Sequence, residues 1–265
     1  MTLTEVRQLL VELNLRPSKG LGQNFLIDQN IRDLILHQAD LRPDETVLEI
    51  GPGLGALTDE LICQAGRFIA IEKDPRLCAH LRNRLPGLEL VEGDATKVPL
   101  PACDKVVANL PYSVSTAVME RLVEAADRPR RMVLMLQREV ASRLVATPRH
   151  KDYGALTLFT QFRYHVTIAH IVSPSCFCPP PTVESAVIVF DRRDPRVALA
   201  PGAPFHELVR AGFAHRRKML RSQLLAFGVS ENLLVFVGAV PTARAEELNL
   251  DQWITMANAV RTVPV

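Results

Sequence analysis

The chain has 265 residues, 48% hydrophobic and 23% charged, with a net charge of only +2; this composition excludes disorder and leaves room for one full domain with an appendage. No apolar run approaches the roughly 20 residues that span a bilayer, and the opening MTLTEVRQLLVELNL carries acidic residues unlike a secretory signal, so a cytoplasmic protein with no membrane partner is expected. Five cysteines, of which only Cys176 and Cys178 lie close together, argue against a disulfide framework and a four-ligand zinc site, and no metal is expected.

After the amphipathic opening comes RPSKGLGQNF (16–25), polar and broken by glycine, which reads as a surface loop before a helix capped at Asp28. Short runs rich in valine and isoleucine then alternate with helical patterns, the signal of an α/β fold with a parallel sheet. TVLEI (46–50), RFIAI (67–71), LELVEG (88–93), KVVANL (105–110) and MVLMLQ (132–137) read as five successive strands. ALTDELICQ, PRLCAHLRNRL, TAVMERLVEAA and REVASRLVA have the three- and four-residue apolar spacing of the helices between them. YHVTIAHIV and SAVIVF, separated by the proline-rich SPSCFCPPPTV, read as two further strands closing the sheet edge as an antiparallel ribbon. From about residue 194 the pattern changes to a linker, DPRVALAPGAP, and then to helices in FHELVRAGFAHRRKMLRSQLLAF, ENLLVFVG and DQWITMANAV. The expected domains are therefore 1–194 and 195–265.

Chemistry begins in VLEIGPGLGALTDEL. Gly51, Gly53 and Gly55 follow a strand and precede a helix, where backbone approaches a ligand that no Cβ would admit. A nucleotide-type cofactor is expected, and NAD stays open because GPGLGA also satisfies the relaxed dinucleotide fingerprint. Glu72 ends the next strand at the spacing where a carboxylate meets ribose hydroxyls. Asp94, after the third strand, is placed either to accept from an exocyclic amine or simply to close an Asx turn. The fourth strand runs into ANLPYSVST (108–116). If the substrate is an adenine amine, whose lone pair is delocalised into the ring, acceptors must draw it towards tetrahedral. The Asn109 side-chain oxygen and the Leu110 carbonyl are suited to that, with Tyr112 stacking on the base. Of 31 basic residues 25 are arginine, and they cluster in RPRR (128–131) and HRRKMLR (215–221); each cluster suits phosphate or forms a solvated face.

KGLGQNFLID, EIGPGLGALTDEL, AIEKD, EGDA, NLPYSVST, FCPPPTVESAV and FAHRRKMLRSQL occur in this order over nearly the whole chain. In this the sequence resembles the ribosomal RNA adenine N6,N6-dimethyltransferases of the KsgA/RsmA type. The resemblance implies a class I, Rossmann-like methyltransferase with a seven-stranded, mostly parallel sheet and a small all-helical C-terminal domain. It implies transfer from S-adenosylmethionine to two adjacent adenosines in the 3′-terminal hairpin loop of small-subunit (16S) rRNA. The partner it implies is the 30S subunit or its precursor, met by a monomer with a role in subunit biogenesis. Carried over by position, cofactor contacts fall on Asn24, Leu26, Gly51, Glu72, Asp94 and Asn109, and the target base is held by Tyr112 and Phe177. Residues 16–25 become a flap with Lys19 near RNA phosphate, and HRRKMLR becomes an RNA-facing helix presenting Arg216, Arg217, Lys218 and Arg221. Three other readings share parts of the pattern: a resistance methyltransferase acting on one large-subunit adenosine, a non-catalytic RNA-binding assembly factor, and an NAD-dependent oxidoreductase.

Overall fold

Each strand read from the sequence forms in the computed structural model, which describes residues 1–17 and 22–260. α1 (Leu3–Glu12) opens on a capping box in which Thr2 and Glu5 satisfy each other's backbone amides. β1 (Phe25–Leu26) leads into α2 (Gln29–Ala39), whose first turn is capped by the Asp28 carboxylate accepting from the Ile31 amide at 3.1 Å. Then follow β2 (Thr46–Ile50), α3 (Thr58–Gln64), β3 (Arg67–Glu72), α4 (Pro75–Arg84), β4 (Glu89–Glu92), β5 (Lys105–Asn109), α5 (Ser115–Glu124), β6 (Arg131–Gln137), α6 (Arg138–Val145), α7 (Ala155–Arg163), β7 (Tyr164–Val172), β8 (Phe177–Cys178) and β9 (Ser185–Arg192).

The seven-stranded sheet has the order β4, β3, β2, β5, β6, β9, β7. β2 to β6 pair in parallel, and β9 runs antiparallel to β6 with Gln137 opposite Ser185. Val47, Leu48 and Ile50 of β2 are all buried, as a central strand covered on both faces requires, whereas β4 at the edge has no buried residue. On one face Val47, Val107, Val133, Val187 and Val189 pack against Ile31 and Ile35 of α2 and Leu61 of α3. β1 and β8 form a separate two-stranded antiparallel sheet.

Chain contacts divide the molecule into two units, Met1–Ala141 with Val166–Arg192, and Ser142–His165 with the chain from Arg193 onward. This differs from a cut at 194, because residues 142–165 belong to the helical unit. The reason is apolar: Tyr153, Leu158 and Phe162 share one core with Phe205, Leu208 and Val209 of α8 (Phe205–Phe213) and with Trp253 and Ile254. The Tyr153 hydroxyl donates to the Leu248 carbonyl at 2.8 Å within that core. α9 (Leu220–Gln223), α10 (Glu231–Phe236) and α11 (Leu250–Ala259) complete the unit. No helix among the described residues is long and apolar enough to cross a membrane.

Candidate active site

β2 and β5 are neighbours, but the chain builds β3 and β4 between visiting them. Their onward connections therefore diverge and open a crevice at the strands' carboxyl ends. Residues 22–26, the turn after β2, 71–74, 93–95 and 109–114 line it.

The glycine turn supplies one wall. Gly51 sits in left-handed backbone (φ +70°), and its amide donates to the Ile71 carbonyl at 2.9 Å, which carries the ladder with β3 up to the start of the turn that the Gly55 amide closes on the Pro52 carbonyl at 2.8 Å. Glu72 ties this turn to the next: Oε2 accepts from the Gly53 amide at 3.1 Å, and Oε1 accepts from the amides of Lys73 at 2.7 Å and Asp74 at 2.8 Å. A carboxylate has about four acceptor positions, so one remains for a ligand. Burial holds the Glu72 pKa above the usual carboxylate range, although these three amides pull it down. Asp94 is shifted the other way. Its Oδ1 accepts from the Thr96 hydroxyl at 2.6 Å and amide at 2.9 Å, its Oδ2 from the Lys73 ammonium at 2.9 Å, and these donors hold the carboxyl well below its usual range.

The opposite wall is the segment after β5. Asn109, the last residue of the strand, donates through Nδ2 to the Asn24 carbonyl at 3.2 Å. A carbonyl only accepts, so this bond fixes the amide orientation and leaves Oδ1 as an acceptor. Asn24 in turn donates through its own Nδ2 to the Gly22 carbonyl at 3.3 Å. Beyond Leu110 the Pro111 carbonyl accepts from the Val114 amide at 3.1 Å, closing the turn that presents Tyr112. The Tyr112 hydroxyl is hydrogen-bonded to that of Ser185, and burial raises the phenol pKa. Gly22 (φ +64°) lies directly on this turn; a Cβ there would stand 3.1 Å from the Tyr112 nitrogen.

Asn24, Leu26, Gly51, Glu72, Asp94, Asn109, Leu110 and Tyr112 thus meet in one cleft. Phe177, expected at a target base with Tyr112, is not among the described residues that line the cleft, although its register partner Leu26 is. Phe177 is 2% exposed and packs with Leu26, Ile31 and Val187, because pairing of β8 with β1 sets it opposite Leu26 in a buried ribbon. Lys19 lies outside the described residues.

HRRKMLR is not a continuous helix either. α8 ends at Phe213, residues 214–219 form turns, and α9 begins at Leu220. Gln223 accounts for the break: its Oε1 accepts from the His215 amide at 2.9 Å and its Nε2 donates to the Gly212 carbonyl at 2.9 Å, replacing helical bonds with side-chain ones. In that stretch Arg217 and Lys218 are exposed, Arg216 pairs with Glu246 at 3.0 Å, and Arg221 pairs with Glu231. The RPRR cluster is largely consumed internally. Arg130 pairs with Glu45, and Arg131 pairs with Asp191 and donates to the Gln38 carbonyl, both at 2.8 Å.

Sequence reasoning missed Glu49, Lys73 and Ser185. Glu49 and Lys73 line the cleft. An acid inside the otherwise apolar TVLEI was a usable signal for the first, since a buried carboxylate needs a reason. Nothing local marks Ser185.

The sequence pattern of a family described as ribosomal RNA adenine dimethylase matches residues 14–262. A ribosomal RNA small subunit methyltransferase A of Geobacter metallireducens is 40% identical, over 93% of this chain and 96% of its own. Among solved structures, a dimethyladenosine transferase from Plasmodium falciparum superposes with a TM-score of 0.77 at 26% identity, over 88% of this chain and 95% of that one. The 23S rRNA methyltransferase ErmE superposes with a TM-score of 0.71 at 29% identity, over 88% of this chain and 98% of that one.

Proposed function

This chain belongs to the ribosomal RNA adenine dimethylase family, and on that premise we propose that it dimethylates N6 of two adjacent adenosines in the 3′-terminal hairpin loop of small-subunit rRNA. It does so as a monomer on the 30S subunit or its precursor. The coarse activity, methylation of adenine in small-subunit rRNA, goes with the family and its relatives; the nucleotides, the assembly state and the residue roles are the proposal.

The cleft fits S-adenosylmethionine. The turn at Gly51 and Gly53 has no Cβ to fill it, Glu72 keeps an acceptor position for a ribose hydroxyl, and Asp94 stays ionised to accept from an adenine amine. When bound, that molecule supplies a methyl group on a positively charged sulfur, so no strong base is needed to start the transfer. The protein's task is then alignment, for which well-oriented intramolecular reactions gain on the order of 7 to 11 kcal/mol. In the first transfer Asn109 Oδ1 and the Leu110 carbonyl accept from the two hydrogens of the target amine and localise its lone pair, and in the second, one of them holds the single hydrogen that remains. Each transfer releases one proton from nitrogen to solvent and the donor as the neutral thioether. Tyr112 stacks on the purine, a contact worth roughly 1 to 3 kcal/mol.

The observation that carries this reading is the Asn109 to Asn24 bond, which uses one of the two amide N–H donors on the protein and supports an acceptor role for the oxygen in the cleft that Tyr112 also lines. Unmodified small subunits incubated with labelled S-adenosylmethionine should yield dimethyladenosine on nucleoside analysis, and Asn109→Ala should abolish it. Absence of dimethyladenosine from the small-subunit RNA, or near-normal turnover by Asn109→Ala, would refute the reading.

A further inference from the structure

Ser185, the first residue of β9, is fully buried (0% exposed) and hydrogen-bonds the Tyr112 hydroxyl. Tyr112 lies just past the end of β5, and β6 stands between β5 and β9. The phenol therefore bridges over the end of β6, across two strand spacings of about 4.8 Å each.

Both ends of this bridge are held. Ser185 is in register with Gln137. Beside it the Glu184 carbonyl accepts from the Arg138 amide at 2.9 Å, and the Glu184 carboxylate pairs with the Arg138 guanidinium at 2.5 Å. At the other end the Ser115 hydroxyl donates to the Tyr112 carbonyl at 3.2 Å. The phenolic oxygen lies on the χ2 axis, so anchoring it together with the backbone fixes the direction of the ring's long axis. A phenol O–H prefers the ring plane, so the bond also favours, within the broad χ2 well, the orientation that holds Ser185 in that plane. Ser185 is not among the described residues that line the cleft, and its hydroxyl is joined to the site through this ring.

We infer that Ser185 is a positioning residue for methyl transfer: its hydroxyl fixes the direction in which the Tyr112 ring extends and favours one plane for it, and with them the angle at which a purine stacked on that ring presents its exocyclic nitrogen. The inference rests on the proposal that Tyr112 stacks on the target base. It separates two properties of the tyrosine. The aromatic face contributes affinity for the base, and the hydroxyl contributes geometry.

Ser185→Ala, Tyr112→Phe, the double variant and Tyr112→Ala are assayed on unmodified small subunits for kcat and for KM. Cofactor titration gives Kd, and thermal unfolding gives the folded fraction by which turnover is normalised. Each of Ser185→Ala and Tyr112→Phe should lower kcat about tenfold while leaving KM and Kd within about twofold. The double variant should be no slower than either single one, because the same bond is removed once. Tyr112→Ala should lose more, face and anchor together. Wild-type kcat in both single variants beside a crippled Tyr112→Ala would overturn the anchoring role and leave the stacking intact. Wild-type kcat in Tyr112→Ala would overturn the stacking, and this inference with it. Losses that multiply in the double variant, or a change confined to KM, would also overturn the inference.

Discussion

Glu49 gives the most direct test of the electrostatics under the cleft. It lies on β2 at 2% exposure, accepts from the Thr58 hydroxyl at 2.7 Å, and burial lifts its carboxyl from 4.5 to about 8. At neutral pH the folded protein keeps this proton and the unfolded chain has released it. A raised carboxyl pKa contributes stability that is complete below the unfolded value and is lost as pH rises through the folded one. Stability should therefore fall between about pH 5 and 8, by on the order of 4 kcal/mol from this group at roughly 1.4 kcal/mol per pH unit. Glu49→Gln keeps an oxygen acceptor for Thr58 and removes the titration. Urea unfolding of both proteins at pH 5, 6.5 and 8 should give a falling stability for the wild type and a flatter profile for the variant. Some slope should persist, because Glu72 is shifted in the same direction by the same cause. Parallel profiles across the whole range would mean that Glu49 ionises alike in both states, and the reasoning would fail.

Gly22→Ala adds a Cβ 3.1 Å from the Tyr112 nitrogen on left-handed backbone; we expect roughly 1 kcal/mol of strain and slower methyl transfer, and unchanged turnover at matched folded fraction would show that residue 22 does not seat the turn. Lys73→Met removes the cation that holds Asp94. An exposed pair contributes little to stability, so the unfolding midpoint should stay while calorimetric affinity for S-adenosylmethionine weakens, and an unaltered Kd would reduce the pair to a surface contact. Arg217→Glu with Lys218→Glu leaves the Arg216 to Glu246 pair in place. RNA binding should weaken and its dependence on log salt should become shallower by about 0.7 to 0.9 per lost phosphate contact; identical binding at every ionic strength would remove both residues from the interface.

Much of the site is legible in the sequence because its components follow short runs rich in aliphatic residues, whose pattern marks a strand. Gly51, Glu72, Asp94 and Asn109 stand where parallel strands end, and in such a sheet all those ends lie on one side. The capping signal was equally local: Asp28 announces α2. Backbone preference and hydrophobic period act over a few residues, so a single stretch of chain states them in full.

The tertiary structure alone decided which side chains those ends would face. Ser185 meets Tyr112 across 73 residues of chain, and Phe177 turns into the core because β8 finds β1. Arg130 and Arg131 are taken up by Glu45 and Asp191, and residues 142–165 join the helical unit through Tyr153, Leu158 and Phe162. Each outcome depends on strand order and on which apolar faces find each other, and two segments can carry the same local pattern whether or not they become neighbours.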